Sequence, residues 1–259
     1  MESKFSEVVE KKIYHGKYQV INNLKALVNP ENDSVFSVVT DDYDLITHQD
    51  ALNNIEEVIN NKVEFGAYSK DVVFYPDSDN PDAAIKATYT FKDVDFKIGG
   101  GEIIHPTITV FNSYNKKFAY KVLFGAFRLV CSNGLVIGEK FVAYRKEHHQ
   151  NYDIQAVANI LDSNMDKMAD QINLWDKWLD RKVIEGDIKL IDKIGFNKTQ
   201  KEELYFEKEV STNHTMEDIT NGISNYWIFF NLIMQYITHK VNNGVLKERM
   251  INRARNLFV

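Results

Sequence analysis

Nine basic side chains carry the strongest chemical signal in this chain. Lys116, Lys117, Lys121, Lys140, Arg145 and Lys146 lie in one stretch, and Arg249, Arg253 and Arg255 lie near the end. Tyr114, Tyr120 and Tyr144 are interleaved with the first group. Ammonium and guanidinium groups neutralise phosphates and phenol rings stack on unpaired bases, so the combination suits single-stranded nucleic acid. The 259 residues carry a net charge of −6, yet residues 116–146 hold seven basic residues against one acidic, and the last twenty hold five against one. Two basic islands in an acidic chain either merge into one cationic face or offset acidic neighbours in the folded protein. If the last strands of the central region pair as expected, Lys116, Lys117, Arg145 and Lys146 converge at one sheet end.

A second set is polar rather than charged. Asn231, Gln235 and His239 recur every four residues and share one face of an otherwise apolar helix. Such a seam lines a pocket or locks the helix by hydrogen bonds; the second role is the expectation, because unpaired buried polar groups cost about 1–3 kcal/mol each. His48 and Asp50 precede a helix and suit capping or surface placement. His148 and His149 are adjacent on a strand and point to opposite faces, which does not chelate one metal. Cys131 is the single cysteine, so there is no intramolecular disulfide framework or multi-cysteine zinc site, and it reads as a small buried hydrophobe. Arg128 interrupts an apolar strand and calls for a carboxylate or carbonyl partner. There is no HExxH motif, nucleophile elbow or phosphate-binding glycine fingerprint; Gly99-Gly100-Gly101 lacks a following Lys-Ser/Thr and reads as a turn. The sequence therefore offers no catalytic residue, no metal site and no cofactor.

Extended and helical patterns position these groups. Residues 1–30 read as an amphipathic opening closed by Asn29-Pro30. Short β runs follow at Val35–Val39, Tyr43–Thr47 and Val72–Tyr75, with a helix after Asp50 carrying Ala51, Leu52, Ile55, Val58 and Ile59 inward. From Ile85 the pattern predicts a four-stranded antiparallel meander over 85–146, with turns at Gly99–Gly101, Asn112–Lys117 and Ser132-Asn133-Gly134. Pro106 cannot donate to a ladder, so its strand is expected at an edge or with a bulge. A long helix over 153–185 follows, capped by Asp153, striped from Ile154 to Val183 and stopped by Gly186. Thr199 with Glu202 and Thr215 with Asp218 read as capping boxes, the latter opening a helix from Met216 to Asn242, and Val245–Phe258 forms a last basic helix.

The fold class is therefore α+β: a meander packed against a long helix, in a core over 1–186, with a helical region over 187–259 packed on it. Hydrophobic content of 44% supports a buried core. The charged N-terminal stretch and the lack of a long apolar run imply a cytoplasmic protein without membrane contact.

Two segments carry a resemblance. Asn112-Ser113-Tyr114 with Phe127-Arg128-Leu129-Val130-Cys131-Ser132-Asn133-Gly134-Leu135 resembles a signature of the phage/plasmid-like protein family, a domain-of-unknown-function group of phages, prophages and conjugative plasmids. Tyr226-Trp227, Asn231, Gln235-Tyr236 and His239 are similar to that family's C-terminal helix, with Gln235 where an acidic residue is usual. The resemblance implies a mobile-element protein, acting in the host cytoplasm if phage-encoded, and implies no reaction. Strand order followed by a long helix is also similar to the core of single-strand annealing proteins, a likeness of fold alone. The expected function is non-catalytic single-stranded DNA binding or annealing. The alternatives are a counter-defence protein that binds a host immune component and an assembly factor that oligomerises through the 154–183 stripe.

Overall fold

The computed structural model describes residues 5–17, 19–62, 66–128, 133–135, 142–146 and 154–258. Expectations resting on Lys140, Cys131, His148, His149 and Asp153 lie outside the described residues. What is described is a mixed α/β structure of antiparallel sheets and helices.

The first sheet holds β1 (Val9–His15), β2 (Gln19–Val28) and β3 (Val35–Thr40) in that order. The single amphipathic opening expected for residues 1–30 is thus a hairpin. Its alternation is hard to see because only the end of β2, Ala26 to Val28, is buried, and Asn23 sits at φ +66°. The run Tyr43–Thr47 is not a strand: Tyr43 and Ile46 turn inward as isolated anchors before α1 (His48–Asn60). Thr47 caps that helix by accepting the Asp50 N–H, so Asp50 stands in the first turn instead of at the cap.

The second sheet contains β4 (Tyr68–Tyr75), β5 (Ala84–Phe91), β6 (Phe96–Ile98), β7 (Glu102–Ser113), β8 (Tyr120–Arg128), β9 (Asn133–Leu135) and β10 (Val142–Lys146). Five of them run β10-β8-β7-β5-β4, while β6 pairs with β7 and β9 with β8. Alternate residues fill the core face: Ile85, Ala87, Tyr89 and Phe91, then Ile108 and Val110, then Val122, Phe124 and Ala126. Pro106 corrects the edge-strand expectation, because β7 is central. The proline is tolerated because it sits where the β7 partner on one side changes, from β6 through Ile104 to β5 from Thr107.

Helices cover the core face. In α2 (Ile154–Asp180) the stripe residues Val157, Met168, Ile172 and Trp175 are buried within the chain, and α2 packs on α7 (Tyr226–Lys240), β6 and β10. The helix ends at Asp180, short of Val183 and Gly186. Gly99 docks the β6–β7 reversal on it, donating its N–H to Asp176 Oδ1 at 2.7 Å; a Cβ there would lie 2.2 Å from Leu179 Cδ1. After α3 (Glu185–Ile188) and α4 (Leu190–Ile194), α5 (Lys198–Phe206) is capped by Asn197 with Gln200 instead of Thr199 with Glu202. The Thr215–Asp218 capping box opens only the short α6 (Met216–Thr220). Gly222 at φ +74° then breaks the chain before α7, so the helix expected from Met216 to Asn242 is two. The last helix, α8 (Gly244–Leu257), packs on α7 and α4. One cluster of buried apolar side chains runs from Ile46 through the large sheet to Phe258. Among the described residues no helix is long and apolar enough to cross a membrane.

Candidate functional site

Register decides where the basic residues go. Side chains directly opposite in antiparallel strands share a face, so one transverse row can collect residues from distant parts of the chain. On the face away from the large core, Lys86 of β5 stands opposite Phe111 of β7 and Phe111 opposite Lys121 of β8; Arg145 of β10, of which only the backbone is described, is in register with Lys121. Two cations flank the same ring: Lys86 Nζ is 5.8 Å and Lys121 Nζ 5.1 Å from the Phe111 centroid. Lys146 occupies the next register position, opposite Tyr120, so the end of β10 lies beside the 114–119 turn that carries Lys117.

The N-terminal half of α8 forms the other wall. A hollow of about 250 Å³ is lined by Phe111, Lys117, Phe118, Lys121, Arg249 and Asn252, with Glu248 at its side. A second, of about 490 Å³, lies between Tyr75, Pro76 and the start of α8, and again includes Lys117 and Arg249. The rings form one chain, Phe111 against Phe118 and Phe118 against Tyr75, each pair edge-on at 5.2 Å. Lys117 Nζ stands 5.8 Å over the Tyr75 ring. Glu248, the carboxylate in this wall, is 8% exposed and bound to Lys86 at 2.6 Å. Burial, with Glu248 beside it, pushes the Tyr75 phenol up, so that group stays neutral. Gly244 permits the close approach of α8, since a Cβ there would lie 2.3 Å from the Tyr75 ring. Among the described residues, the result is a groove lined by Lys117, Lys121 and Arg249 over aromatic rings, with Lys86 paired to Glu248 at its side.

Other expected members are elsewhere. Lys116, at φ +62°, donates to the Val38 carbonyl of the small sheet. Arg253 reaches the Ile194 carbonyl at 3.3 Å, and Arg255 is 7% exposed, so both serve the helical region. The stacking roles of Tyr114 and Tyr120 need correction: the rings are 1% and 0% exposed and offer no face to a base. Parity explains Tyr120, which lies on the core face because its neighbour Lys121 lies on the other. Of Tyr144 only the backbone is described, within β10. Lys86, Phe111, Phe118 and Tyr75 were not picked out from the sequence. Strand parity marks Lys86 and Lys121 as facing away from the core, but only register shows that they meet.

The polar seam of α7 is divided. Asn231 Nδ2 donates back to the Trp227 carbonyl at 2.8 Å. Gln235 accepts the Val210 N–H at 3.1 Å and donates to the Lys208 carbonyl at 2.8 Å, pinning the 207–210 loop. His239 is exposed one turn on, so the three do not form one site.

Asn112 and Tyr114 build a closed polar junction instead. His48, expected at a cap or surface, is fully buried. Its Nε2 lies 2.8 Å from the Asp82 carbonyl and its Nδ1 3.0 Å from Asn112 Nδ2, which also donates to the Ile46 carbonyl. The Nε2–H tautomer satisfies both ring nitrogens. The Tyr114 hydroxyl accepts the His48 N–H at 2.6 Å while its ring stacks on the imidazole at 3.9 Å. Burial pushes the His48 pKa down to about 4, against the opposing pull of Asp82. With both nitrogens held and no opening, this histidine orders structure and reaches no substrate.

A family model described as Domain of unknown function (DUF932) matches residues 35–258, and the chain belongs to that family. No curated protein and no solved structure matches it.

Proposed function

We propose that this DUF932 protein binds single-stranded nucleic acid in the groove between the large sheet and α8, without catalytic turnover. The observation that carries the reading is the meeting of Lys86, Lys117, Lys121 and Arg249, drawn from three separate parts of the chain, around Phe111, Phe118 and Tyr75. Cations track phosphates while the half-buried Phe118 and Tyr75 rings take bases above the buried Phe111, and no base identity is required. An open groove on a sheet face suits a flexible single strand better than a duplex, whose bases are already stacked and paired. Such an activity fits the mobile-element setting implied by the resemblance, where strand pairing during recombination needs no reaction.

The test is a salt-titrated anisotropy measurement with a labelled oligothymidylate of about 20 nucleotides and its duplex counterpart. Three phosphate contacts, by Lys117, Lys121 and Arg249, predict a log–log salt slope of about −2 for the single strand. The triple variant Lys117→Ala/Lys121→Ala/Arg249→Ala is expected to flatten that slope. Equal binding by the triple variant would remove the groove from consideration.

A further inference from the structure

We infer that the groove seats two consecutive nucleotides with their bases splayed to either side of the Tyr75–Phe118 pair, which makes it selective for weakly stacked, pyrimidine-rich strands. This rests on the nucleic-acid reading above and extends it to the pose and class of the ligand.

Two neighbouring hollows share an edge. The first has Phe111, Phe118 and Ala119 on its apolar side, with Asn252 and Glu248 as polar groups. The second has Tyr75, Pro76 and Leu246. Lys117, Val245 and Arg249 line both. Phe118 lines the first hollow and Tyr75 the second, and the two rings meet edge to face at 5.2 Å with an interplanar angle of 77°, which makes them the partition between the two. A phosphodiester placed over the shared edge meets the Lys117 ammonium from the turn and the Arg249 guanidinium from α8. Its two sugars then direct one base into each hollow. Bases stacked on one another cannot occupy both, because the ring pair lies between the hollows. The strand must unstack at this step, and the Phe118 and Tyr75 surfaces replace the lost base–base contact. Unstacking is harder for purine runs than for pyrimidine runs, so selectivity arises without reading base edges.

The experiment compares oligothymidylate and oligoadenylate of equal length against the protein, then repeats the pair with Phe118→Leu and Tyr75→Leu. Oligothymidylate is expected to bind about tenfold tighter. Each leucine variant, checked by circular dichroism for a retained fold, is expected to shrink that ratio towards one while leaving the salt slope unchanged; two variants on different elements guard against one failing to fold. Equal affinity for the two strands, tighter binding of oligoadenylate, or a ratio that survives both substitutions overturns the splayed pose but leaves the groove reading standing. Binding of neither strand removes both.

Discussion

The same eleven residues, Phe111 to Lys121, build two polar regions of opposite character. Inward, Asn112 and Tyr114 join His48 and the Asp82 carbonyl in a junction that holds both imidazole nitrogens and the His48 N–H. Outward, Phe111, Lys117, Phe118 and Lys121 line an open groove. Both are rich in nitrogen and aromatic rings, and composition does not separate them. Accessibility does: a buried histidine with both ring nitrogens engaged orders the backbone, whereas Lys117 and Arg249 stand beside the half-buried Phe118 and Tyr75 rings along two hollows that an anion can enter. The motif residues Asn112 and Tyr114 belong to the first region, so resemblance pointed at the scaffold, and the candidate chemistry lies in its flanks.

That contrast can be broken most forcefully from the inside. Asn112→Ala removes the donors to Ile46 and His48 and leaves buried acceptors unpaired. It is expected to destabilise the protein by about 2–4 kcal/mol in urea unfolding, with affinity per folded molecule unchanged. A stable variant with weakened binding would mean that the junction is part of the site.

Acid should probe the junction next. The folded state holds His48 neutral to about pH 4, whereas an unfolded histidine takes a proton near 6.5. The unfolded chain then binds more protons, so the His48 contribution is intact above about pH 6.5 and is lost as pH falls through about 4, amounting to roughly 3 kcal/mol. Urea midpoints across that window should lose most of their histidine-linked slope in His48→Asn. An identical slope in the variant places the titration elsewhere.

From the outside, the effects should be on affinity instead. Lys117→Ala/Lys121→Ala/Arg249→Ala is expected to weaken single-strand binding by about tenfold to a hundredfold at low salt, while moving stability by no more than about 1 kcal/mol. Collapse of the fold in this variant would erase the distinction between the regions. Gly244→Ala, by pushing a methyl against the Tyr75 ring, should cost several-fold in affinity. The smallest effect is predicted for Lys116→Ala, below about twofold in affinity, because its ammonium is engaged with the Val38 carbonyl. A large loss there would show that Lys116 leaves the carbonyl to meet the ligand.

Much of the scaffold could be read from alternation and helical spacing, because the buried residues of β5, β7, β8, α1 and α8 follow simple periods. The N-terminal hairpin could not: β1 and most of β2 are half-solvated, and their polar residues mask a period of two. The break between α6 and α7 was hidden because apolar residues continue on both sides of Gly222. For the site, the basic residues were legible as types, and Lys117, Lys121 and Arg249 do meet. Their partners were not. Lys86 lies in an acidic part of the sequence and joins the groove only through pairing of β5 with β7. Tyr114 and Tyr120 looked suited to stacking because proximity in sequence hides which side of a strand a ring occupies.

The small sheet has a mechanical consequence. Ser37 donates to the Tyr114 carbonyl at 2.6 Å, and Lys116 reaches the Val38 carbonyl, so β3 is stitched to the turn that bears Lys117. Any ligand that stiffens this turn must also stiffen β3 and, through its ladder, β2. Amide exchange in the hairpin should then slow when the distant groove is filled, making the small sheet a built-in strain gauge for occupancy.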